Sequence, residues 1–526
     1  MARKILLEII GLIIIVGLFS VVFVKYYDED QKSSLGKMLH TGAVVSGYKV
    51  QDQVDKERIV TSFAEIKQTA DQNRFSRGST NSVPVLVYHG ISPHENGNDI
   101  TIRQFEDHML SLKKAGYQTV SLDDLYAFMR GEKQLPQKSF VLTFDDGRKD
   151  SYYFTDYTLK VLNYTAVMFI VTKYSIESDH PYYLNLEELN KMKQSGRWDI
   201  QSHSYEGHAR IKINPEGDRG SFFGNKMWIE PENRVETDNE YRLRIYNDIA
   251  KAKENLETVF DHEIHSFAIP FSDFGQFENN FPGADKINAE IYQEFYKMFF
   301  YQYKPIKNRD FRTNYNDRKK DTYFVMRITV YPSTTAENIL AEMDASQEIT
   351  LPYQENFSNG FRWLGTWGNF TFGEDSLLLT NTVELGTTLA YLDGSYLLRD
   401  YNVKVGIDDI QNSSFSLVTR FQNVDTYSHC IYNEKYVVFE SIVEGQQIDF
   451  TRVKIPPYLS LHSAKHIGAN VLGQNVECLI DDTIIFNGEA AGVAPYGGVA
   501  LKSWLPKNNS QGFVKFNSFE ITEVKP

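Results

Sequence analysis

The amino-acid sequence predicts an α/β domain followed by an all-β domain, preceded by a transmembrane helix. Predicted buried strands alternate with helices from residue 83 onward, which indicates a parallel α/β sheet or barrel. After residue 346, short β-type segments separated by turns replace this pattern, which indicates a β-sandwich or jelly roll. The run Ile5–Val24 is largely apolar and long enough to span one hydrocarbon core of roughly 30 Å.

The N-terminal apolar run has a basic flank, Arg3 and Lys4, and acidic residues follow it. The basic flank should stay in the cytoplasm, which places the rest of the chain outside the cell. A cleaved signal peptide is the alternative, but the run is long and lacks a small-x-small cleavage site. We therefore predict a transmembrane signal anchor at residues 1–26 of a single-pass cell-membrane protein. Residues 27–80 are predicted to be a stalk and linker.

The length, net charge and cysteine content of the chain limit the kinds of protein it can be. The chain has 526 residues, which is too long for one ordinary core, so at least two domains are expected. Its net charge of −14 argues against nucleic acid as a partner, because phosphates require a basic face. The two cysteines, Cys430 and Cys478, could pair or remain buried thiols, and the sequence leaves this open. Since no Cys/His pattern occurs, a bound metal would have histidine and carboxylate ligands.

The predicted elements of the α/β part follow in a regular order. Strands are predicted at residues 83–88, 118–120, 139–144, 166–171 and 198–202, and helices at 102–115, 122–129 and 186–194. In parallel α/β folds, chemistry gathers at the carboxyl ends of the strands. The candidate motifs of this sequence follow such strand ends.

Two adjacent carboxylates, Asp145 and Asp146, come directly after the predicted strand at 139–144, and the chain can turn at Gly147. Adjacent carboxylates repel each other, which is costly unless a cation neutralises one of them. The alternative is an ordinary Asp-Asp-Gly turn of the kind that loops use routinely.

A second group of polar residues follows the predicted strand at 198–202. His203 and His208 are five residues apart with Gly207 between them, so that both imidazoles can converge on one ion. Two histidines and one aspartate with an open position form a hydrolytic metal site, where the ion lowers the pKa of a bound water. Two histidines in one strand-end loop, with an Asp-Asp pair upstream, favour this interpretation over solvated side chains.

These segments resemble the polysaccharide deacetylases with a NodB homology domain, carbohydrate esterase family 4. Thr143–Gly147 reads T-F-D-D-G and matches a block of that family in full. The histidine pair resembles the H-[ST]-x-x-H block with one extra residue, a spacing similar to that of the branch acting on poly-β-1,6-N-acetylglucosamine. Val85–His89 matches the V-L-x-Y-H strand of the same branch. Ser266–Phe271 is similar to the F-A-Y-P-[FY]-G block, with Ser272 in place of the glycine.

The resemblance covers roughly half of the chain and implies a distorted seven-stranded (β/α) barrel. It places a deacetylase domain at residues 81–345, which leaves 346–526 as the β-sandwich. That second part resembles laminin-G-like or concanavalin-like jelly rolls at Gly497–Leu501 and Val514–Phe519. A carbohydrate-binding role would suit an enzyme that acts on a polymer, and a purely structural role is the alternative.

The resemblance also implies roles for individual residues. Asp145 is implied to be the general base. A divalent metal is implied to be held by Asp146, His203 and His208. Zinc suits these ligands best, and nickel, cobalt or iron would also fit them.

The resemblance identifies the general acid less directly than the metal ligands. The family's L-x-H block is missing, and Met326–Thr329 stands in its place. In the branch with the longer histidine spacing, the equivalent histidine comes from the first strand. The resemblance therefore implies that His89 protonates the leaving amine. The alternative is a strand-end histidine satisfied by a backbone carbonyl.

Three residues are candidates for substrate binding. Pro270 and Phe271 belong to the third family-like block, and Trp228 lies in an aromatic insertion at residues 209–240 beside the histidine pair. Aromatic rings of such an insertion can stack on sugar faces. Packing of the insertion onto its own domain is the alternative.

The sequence thus predicts a metal-dependent hydrolase that removes N-acetyl groups from an N-acetylglucosamine polymer at the cell surface, either exopolysaccharide or peptidoglycan. An O-acetyl-polysaccharide esterase would use the same metal chemistry. A surface carbohydrate-binding protein whose deacetylase domain has lost activity is the alternative from another class.

Overall fold

The computed structural model describes residues 56–68 and 79–524, except for residues 179, 277–278, 303–313, 315–322, 359, 366–367, 385 and 507–508. The predicted signal anchor at 1–26 and most of the predicted stalk lie outside these residues. Within the described ranges, no helix is long and apolar enough to cross a membrane. A helix at 56–68 lies in the stalk region and packs Ile59 against the core of the domain that follows.

Seven parallel strands form a closed barrel in the N-terminal half of the chain, which confirms the barrel expected from the sequence. They are β1 Val85–Tyr88, β2 Ser139–Phe144, β3 Ala166–Ile170, β4 Trp198–Ser202, β5 Ser266–Ala268, β6 Met298–Gln302 and β7 Tyr323–Thr329. The strands pair in the order β1-β7-β6-β5-β4-β3-β2, and β1 also pairs with β2, which closes the ring. A two-residue strand, Gln118–Thr119, pairs with β2 outside the ring.

The barrel strands are short apolar runs because both of their faces are covered. Alternate side chains such as Val141 and Val167 fill the barrel interior. The side chains between them, such as Leu142 and Met168, belong to a second cluster that also contains apolar residues of the surrounding helices. Helix Leu122–Met129 contributes to the same cluster as the barrel interior.

The helices of the barrel domain follow the strands, as the alternating pattern predicts. Four of them begin with a capping box, in which a side chain bonds the free amides of the first turn. The helices are Ile102–Lys114, Leu122–Met129, Lys149–Tyr153, Asp156–Leu162, Thr172–Ser175, Leu186–Gln194, Asp238–Phe260, Ala284–Phe295 and Ala336–Ala345. The short elements are strand pairs Ile91–Ser92 with Ile100–Thr101, Arg210–Lys212 with Arg219–Ser221, and Trp228–Ile229 with Arg234–Val235, and 3-10 turns Glu230–Glu232 and Pro270–Ser272.

The C-terminal part is an all-β sandwich of two antiparallel sheets, as predicted. One sheet has the order Asn369–Phe372, Leu377–Thr382, Gln511–Glu523, Tyr401–Gln411, His466–Leu472, Asn475–Ile480 and Thr483–Glu489, with Tyr353–Glu355 also beside Gln511–Glu523. The other has the order Trp363–Leu364, Thr387–Leu392, Gly498–Trp504, Ser414–Asn423, Thr426–Tyr432, Tyr436–Val443 and Gln446–Lys454. Apolar side chains from both sheets form one core between them.

A disulfide crosses the core of the sandwich. Cys430 lies in one sheet and Cys478 in the other, and their Cα atoms are 5.7 Å apart. Both side chains are fully buried. The structure therefore selects the paired state of the two that the sequence leaves open.

We expect the double variant Cys430→Ala/Cys478→Ala to lose about 3–4 kcal/mol of unfolding free energy, because the unfolded chain is no longer cross-linked across a long loop. Urea unfolding of the purified protein in oxidising buffer measures this difference. A reducing agent should lower the stability of the wild type and leave the variant unchanged. Equal stability of the two proteins in oxidising buffer would contradict the prediction.

Candidate active site

The carboxyl ends of the barrel strands carry a set of polar side chains. His89 follows β1, Asp145 and Asp146 follow β2, His203 follows β4, and Arg327 lies near the end of β7. Because parallel strands of a closed barrel end on the same face, these residues face one another across the barrel mouth.

Asp146, His203 and His208 form a compact cluster. The Oδ1 atom of Asp146 is 3.5 Å from Nε2 of His203 and 3.2 Å from Nε2 of His208. One donor atom from each of the three residues lies within 4.8 Å of the other two. Asp146 Oδ1 is buried, and none of the described residues donates a hydrogen bond of normal geometry to it. A buried carboxylate oxygen without a donor, facing two imidazole nitrogens, fits a bound divalent cation.

The backbone after β2 turns sharply and separates the two carboxylates. Asp146 has a φ of 70°, in the left-handed region, and Gly147 follows with a φ of 74°. The left-handed φ of Gly147 favours glycine, and a Cβ atom there would also crowd side-chain atoms of Ile170 and Ser175 at 3.1 Å. This turn presents Asp146 to the histidines while Asp145 points into the barrel.

The two histidines are held in different ways. Nδ1 of His203 donates to the carbonyl oxygen of Ala268 at 2.8 Å, which leaves Nε2 as the acceptor nitrogen on the side of Asp146. His203 is almost fully buried, whereas the side chain of His208 is 28% exposed. The ring of His208 lies 4.5 Å from the ring of Phe271. His208 therefore borders the open side of the cluster.

The charges of this cluster stabilise one another. Burial on its own would raise the pKa of Asp146, but the two histidines, above all His208, hold it well below its usual value. Burial lowers the pKa of His208, and Asp146 outweighs this effect, so that the pKa of His208 is raised. Asp146 is therefore ionised, which is the form that a metal ligand requires.

Asp145 forms a buried ion pair with Arg327. Nη1 and Nη2 of Arg327 donate to Oδ1 and Oδ2 of Asp145, each at 2.7 Å, and Nη1 also lies 3.3 Å from Oγ1 of Thr143. Burial would raise the pKa of Asp145, but Arg327 and then His203 lower it below its usual value. Asp145 is thus ionised at neutral pH. The stability that this pair contributes is present above the usual aspartate pKa and is lost as the pH falls through the lowered pKa.

His89 lies beside this ion pair, with Nε2 3.9 Å from Oδ2 of Asp145 and 3.2 Å from Nε2 of Gln302. Its side chain is 36% exposed. The hydroxyl of Ser151 donates to the backbone carbonyl of His89, which fixes the turn after β1. Burial, helped by the nearby Arg327, lowers the pKa of His89, and Asp145 and Asp146 offset only part of this effect. An imidazole at this position can exchange protons with a molecule bound over the cluster.

Of the candidate substrate-binding residues, Phe271 lies in the site. Its backbone is in the left-handed region with a φ of 56°, and its ring contacts His208 and the guanidinium of Arg210 at 5.1 Å. Pro270 is buried at the start of the same 3-10 turn after β5. Pro270 therefore shapes the turn that presents Phe271.

The aromatic insertion packs largely onto its own domain. Phe222 and Phe223 are buried in the barrel-domain core. Trp228 is half-buried in a two-stranded hairpin, where its indole N–H donates to Glu230 at 3.3 Å. Its contacts within the described part of the chain do not include the ligand cluster, so the structure brings Phe271 and not Trp228 to the site.

Two residues of this site are absent from the sequence prediction. Arg327 lies in the segment Met326–Thr329, which differs from the resembled family by the lack of an L-x-H block. An arginine at an inward-facing position between apolar strand residues is the signal that points to it, because such a buried charge requires a partner. Asp248, in the middle of helix Asp238–Phe260, supports the loop between the histidines. Nothing in its sequence surroundings marks it.

Residues 132–280 match the family model described as polysaccharide deacetylase. This part of the chain belongs to the polysaccharide deacetylase family. The match contains Asp145, Asp146 and both clustered histidines, so the family assignment falls on the residues that form the site.

Curated relatives carry more specific names. The poly-β-1,6-N-acetyl-D-glucosamine N-deacetylase of Escherichia coli K12 is 30% identical over 174 residues, which are 31% of this chain and 26% of that protein. The protein of the same name from Staphylococcus epidermidis is 26% identical over 165 residues, 28% of this chain and 56% of that protein. The chain thus spans about a quarter to a half of the length of these relatives. A solved de-N-acetylase from Aggregatibacter actinomycetemcomitans is 22% identical with a TM-score of 0.40, covering 49% of this chain and 98% of that one.

We expect Arg327→Met to raise the pKa of Asp145, because burial would then act without the opposing guanidinium. The acidic limb of the pH–rate profile for acetate release should therefore move to higher pH. Arg327→Lys keeps the positive charge and is the control, with a limb close to that of the wild type. Unfolding curves of both variants test folding, because breaking a buried pair costs about 3–5 kcal/mol. If the acidic limb of folded Arg327→Met lies at the same pH as in the wild type, Arg327 does not control the pKa of Asp145 and the prediction is wrong.

Proposed function

We propose that this protein is a polysaccharide N-deacetylase that hydrolyses N-acetyl groups of an N-acetylglucosamine polymer. The observation that carries the proposal is the juxtaposition of an Asp-His-His donor set with an ionised, arginine-paired carboxylate at one barrel mouth. Two curated relatives named as poly-β-1,6-N-acetyl-D-glucosamine N-deacetylases support a polymer of that type as substrate. Exopolysaccharide and peptidoglycan both contain the required amino sugar.

The donor set suits a divalent metal held by Asp146, His203 and His208. Zinc is our first choice for these ligands, and nickel, cobalt and iron also accept them. When bound, such an ion polarises a carbonyl group and lowers the pKa of a water molecule. The 28% exposure of His208 leaves the cluster open to a substrate on that side.

The residues around the cluster supply the proton transfers. Asp145 is ionised and held in one orientation by Arg327, and it retains lone pairs that can accept a proton from the attacking water. His89 lies on the exposed side of Asp145 and is placed to protonate the departing amine. Phe271 offers an apolar ring beside His208 against which a sugar can rest.

The chemistry is tested by acetate release from β-1,6-linked N-acetylglucosamine oligomers. We expect activity that a chelator abolishes and added zinc restores. Asp145→Asn should lower the rate by about 10²–10⁴-fold, because it removes a general base while preserving shape. Acetylated xylan oligomers, assayed in parallel, identify the O-acetyl esterase alternative. Binding of the polymer without acetate release from either substrate would contradict the proposal and favour a carbohydrate-binding protein.

The role of His89 as general acid has its own test. His89→Gln should slow deacetylation of the amine-releasing oligomers by about 10²-fold or more. Aryl acetates release a phenolate that needs no protonation, so their hydrolysis should be nearly unaffected by the substitution. Asp145→Asn is the control, because loss of the base should slow both substrates. Equal losses for both substrates in His89→Gln would refute the acid role.

We further propose where the enzyme works and how it meets its polymer. The apolar run at residues 5–24 with its basic flank supports a signal anchor that holds the catalytic domain outside the cell membrane. We propose the domain limits 81–345 and 346–526 and a polymer-binding role for the second domain. A second binding site on one chain raises the effective concentration of the polymer at the first.

A further inference from the structure

We propose that Asp248 is the positioning residue that holds the His203–His208 loop in its metal-binding conformation. This inference rests on the proposed metal site. Asp248 contacts the backbone of the residues that lie between the two histidines. Asp248 belongs to helix Asp238–Phe260 and is distant in sequence from the loop.

The carboxylate of Asp248 accepts hydrogen bonds from successive backbone amides of the loop. The amide of Tyr205 donates to Oδ1 at 3.1 Å, and the amide of Glu206 donates to Oδ2 at 2.8 Å. The amide of Gly207 also lowers the pKa of this carboxylate. Successive amides that converge in this way form an anion-binding concavity, and here a side chain of the protein fills it.

The loop conformation explains why its amides converge on one point. Ser204 has a φ of 82°, which turns the chain out of the strand geometry of β4. A Cβ atom at Gly207 would come within 2.4 Å of the ring of Phe223 and 3.2 Å of Oδ1 of Asp248. A side chain at position 207 would therefore clash with the Phe223 ring, and glycine lets the loop pack against that ring beside Asp248.

The carbonyl groups of the same loop are bonded from the opposite side. The amide of Thr172 donates to the carbonyl of Ser204, and the amide of Lys173 donates to that of Tyr205, both at 3.1 Å. These donors are backbone groups at the start of helix Thr172–Ser175. The loop therefore lies between helices Thr172–Ser175 and Asp238–Phe260 and is hydrogen-bonded to both. Backbone amides of the first helix bind its carbonyl groups, and the Asp248 carboxylate of the second binds its amides.

Burying the carboxylate of Asp248 on a helix face costs free energy, because its charged form loses contact with water. It is 4% exposed, and burial raises its pKa to about 6 although the amides of Glu206 and Tyr205 lower it. An apolar side chain would pack on this helix face without that cost, but it would leave the loop amides without acceptors. The cost of burying this carboxylate is therefore explained by its bonds to the loop amides and not by packing of the helix.

The consequence for the site falls mainly on His208. His203 is fixed by its bond to the carbonyl of Ala268 in the barrel. The imidazole of His208 instead contacts Asp146 and the ring of Phe271. Its position therefore depends on the loop that carries it, and the loop depends on Asp248.

The test measures metal affinity rather than turnover. Cobalt is bound to the purified full chain, its affinity is determined by competition with a chelator, and its visible absorption spectrum reports the ligand geometry. We expect Asp248→Ala to weaken cobalt binding by about 10–100-fold, the usual effect of losing a group that orients a ligand, and to alter the spectrum. Asp248→Asn keeps one acceptor oxygen and should restore part of the affinity.

Asp156→Ala is the matched control. Asp156 is a partly buried carboxylate that accepts hydrogen bonds from Arg197 and Trp198, so its loss also costs stability, but it does not touch the loop. Cobalt affinity should stay within about 2-fold of the wild type in this variant, whereas outer-shell losses are 10-fold or more. Thermal unfolding followed by circular dichroism shows which variants fold, and Asp248→Asn carries the test if Asp248→Ala does not.

The outcomes separate this inference from the proposed function. Unchanged cobalt affinity and spectrum in folded Asp248 variants would overturn the inference, as would a wild-type protein that fails to bind cobalt. Cobalt binding that is weakened in Asp248→Ala but accompanied by no acetate release from the wild type would support the inference and refute the deacetylase proposal.

Discussion

Closure of the barrel is the constraint on which the site depends. Strand β1 pairs with β2 on one side and with β7 on the other, so the first and last parts of the barrel domain meet at one edge. Asp145 and Arg327 are 182 residues apart in sequence and form a bidentate buried pair across that junction. An open sheet would leave each charge buried without its partner, which costs several kcal/mol. Asp145, the proposed general base, is therefore charged and oriented through closure of the barrel.

The same turn that ends β2 separates two identical side chains into different electrostatic environments. Asp145 continues the inward alternation of its strand and meets Arg327, whereas the left-handed backbone at Asp146 directs the next carboxylate to the histidines. Asp145 is paired with Arg327, and Asp146 lies beside two histidines. These partners offset the repulsion between the two adjacent carboxylates. In the proposed mechanism, this arrangement allows Asp145 to act as a base while Asp146 binds the cation.

The sequence could predict whatever is encoded in short contiguous segments. Strands Ser139–Phe144 and Trp198–Ser202 lie at their predicted positions because their apolar runs and flanking turns are local signals, and the residues that follow them form the cluster. Arg327 and Asp248 escape prediction because each acts through an element far away in sequence, and a single polar residue in a strand or helix has no local signature. The pairing of Cys430 with Cys478 is hidden for the same reason, since it depends on how two sheets stack. The signal anchor stays a prediction.

The cluster also shows how backbone strain is distributed at such a site. Asp146 and Ser204 both have left-handed backbone conformations, which cost of order 1 kcal/mol each for residues other than glycine. A backbone hydrogen bond holds each turn in place. The carbonyl of Gly147, next to Asp146, accepts from the amide of Leu184, and the carbonyl of Ser204 accepts from the amide of Thr172. The strained turns are thus held by bonds to neighbouring elements rather than by the ligand cluster itself. The fold therefore brings the three donor atoms together, and the proposed metal would bind with little cost for ordering its ligands.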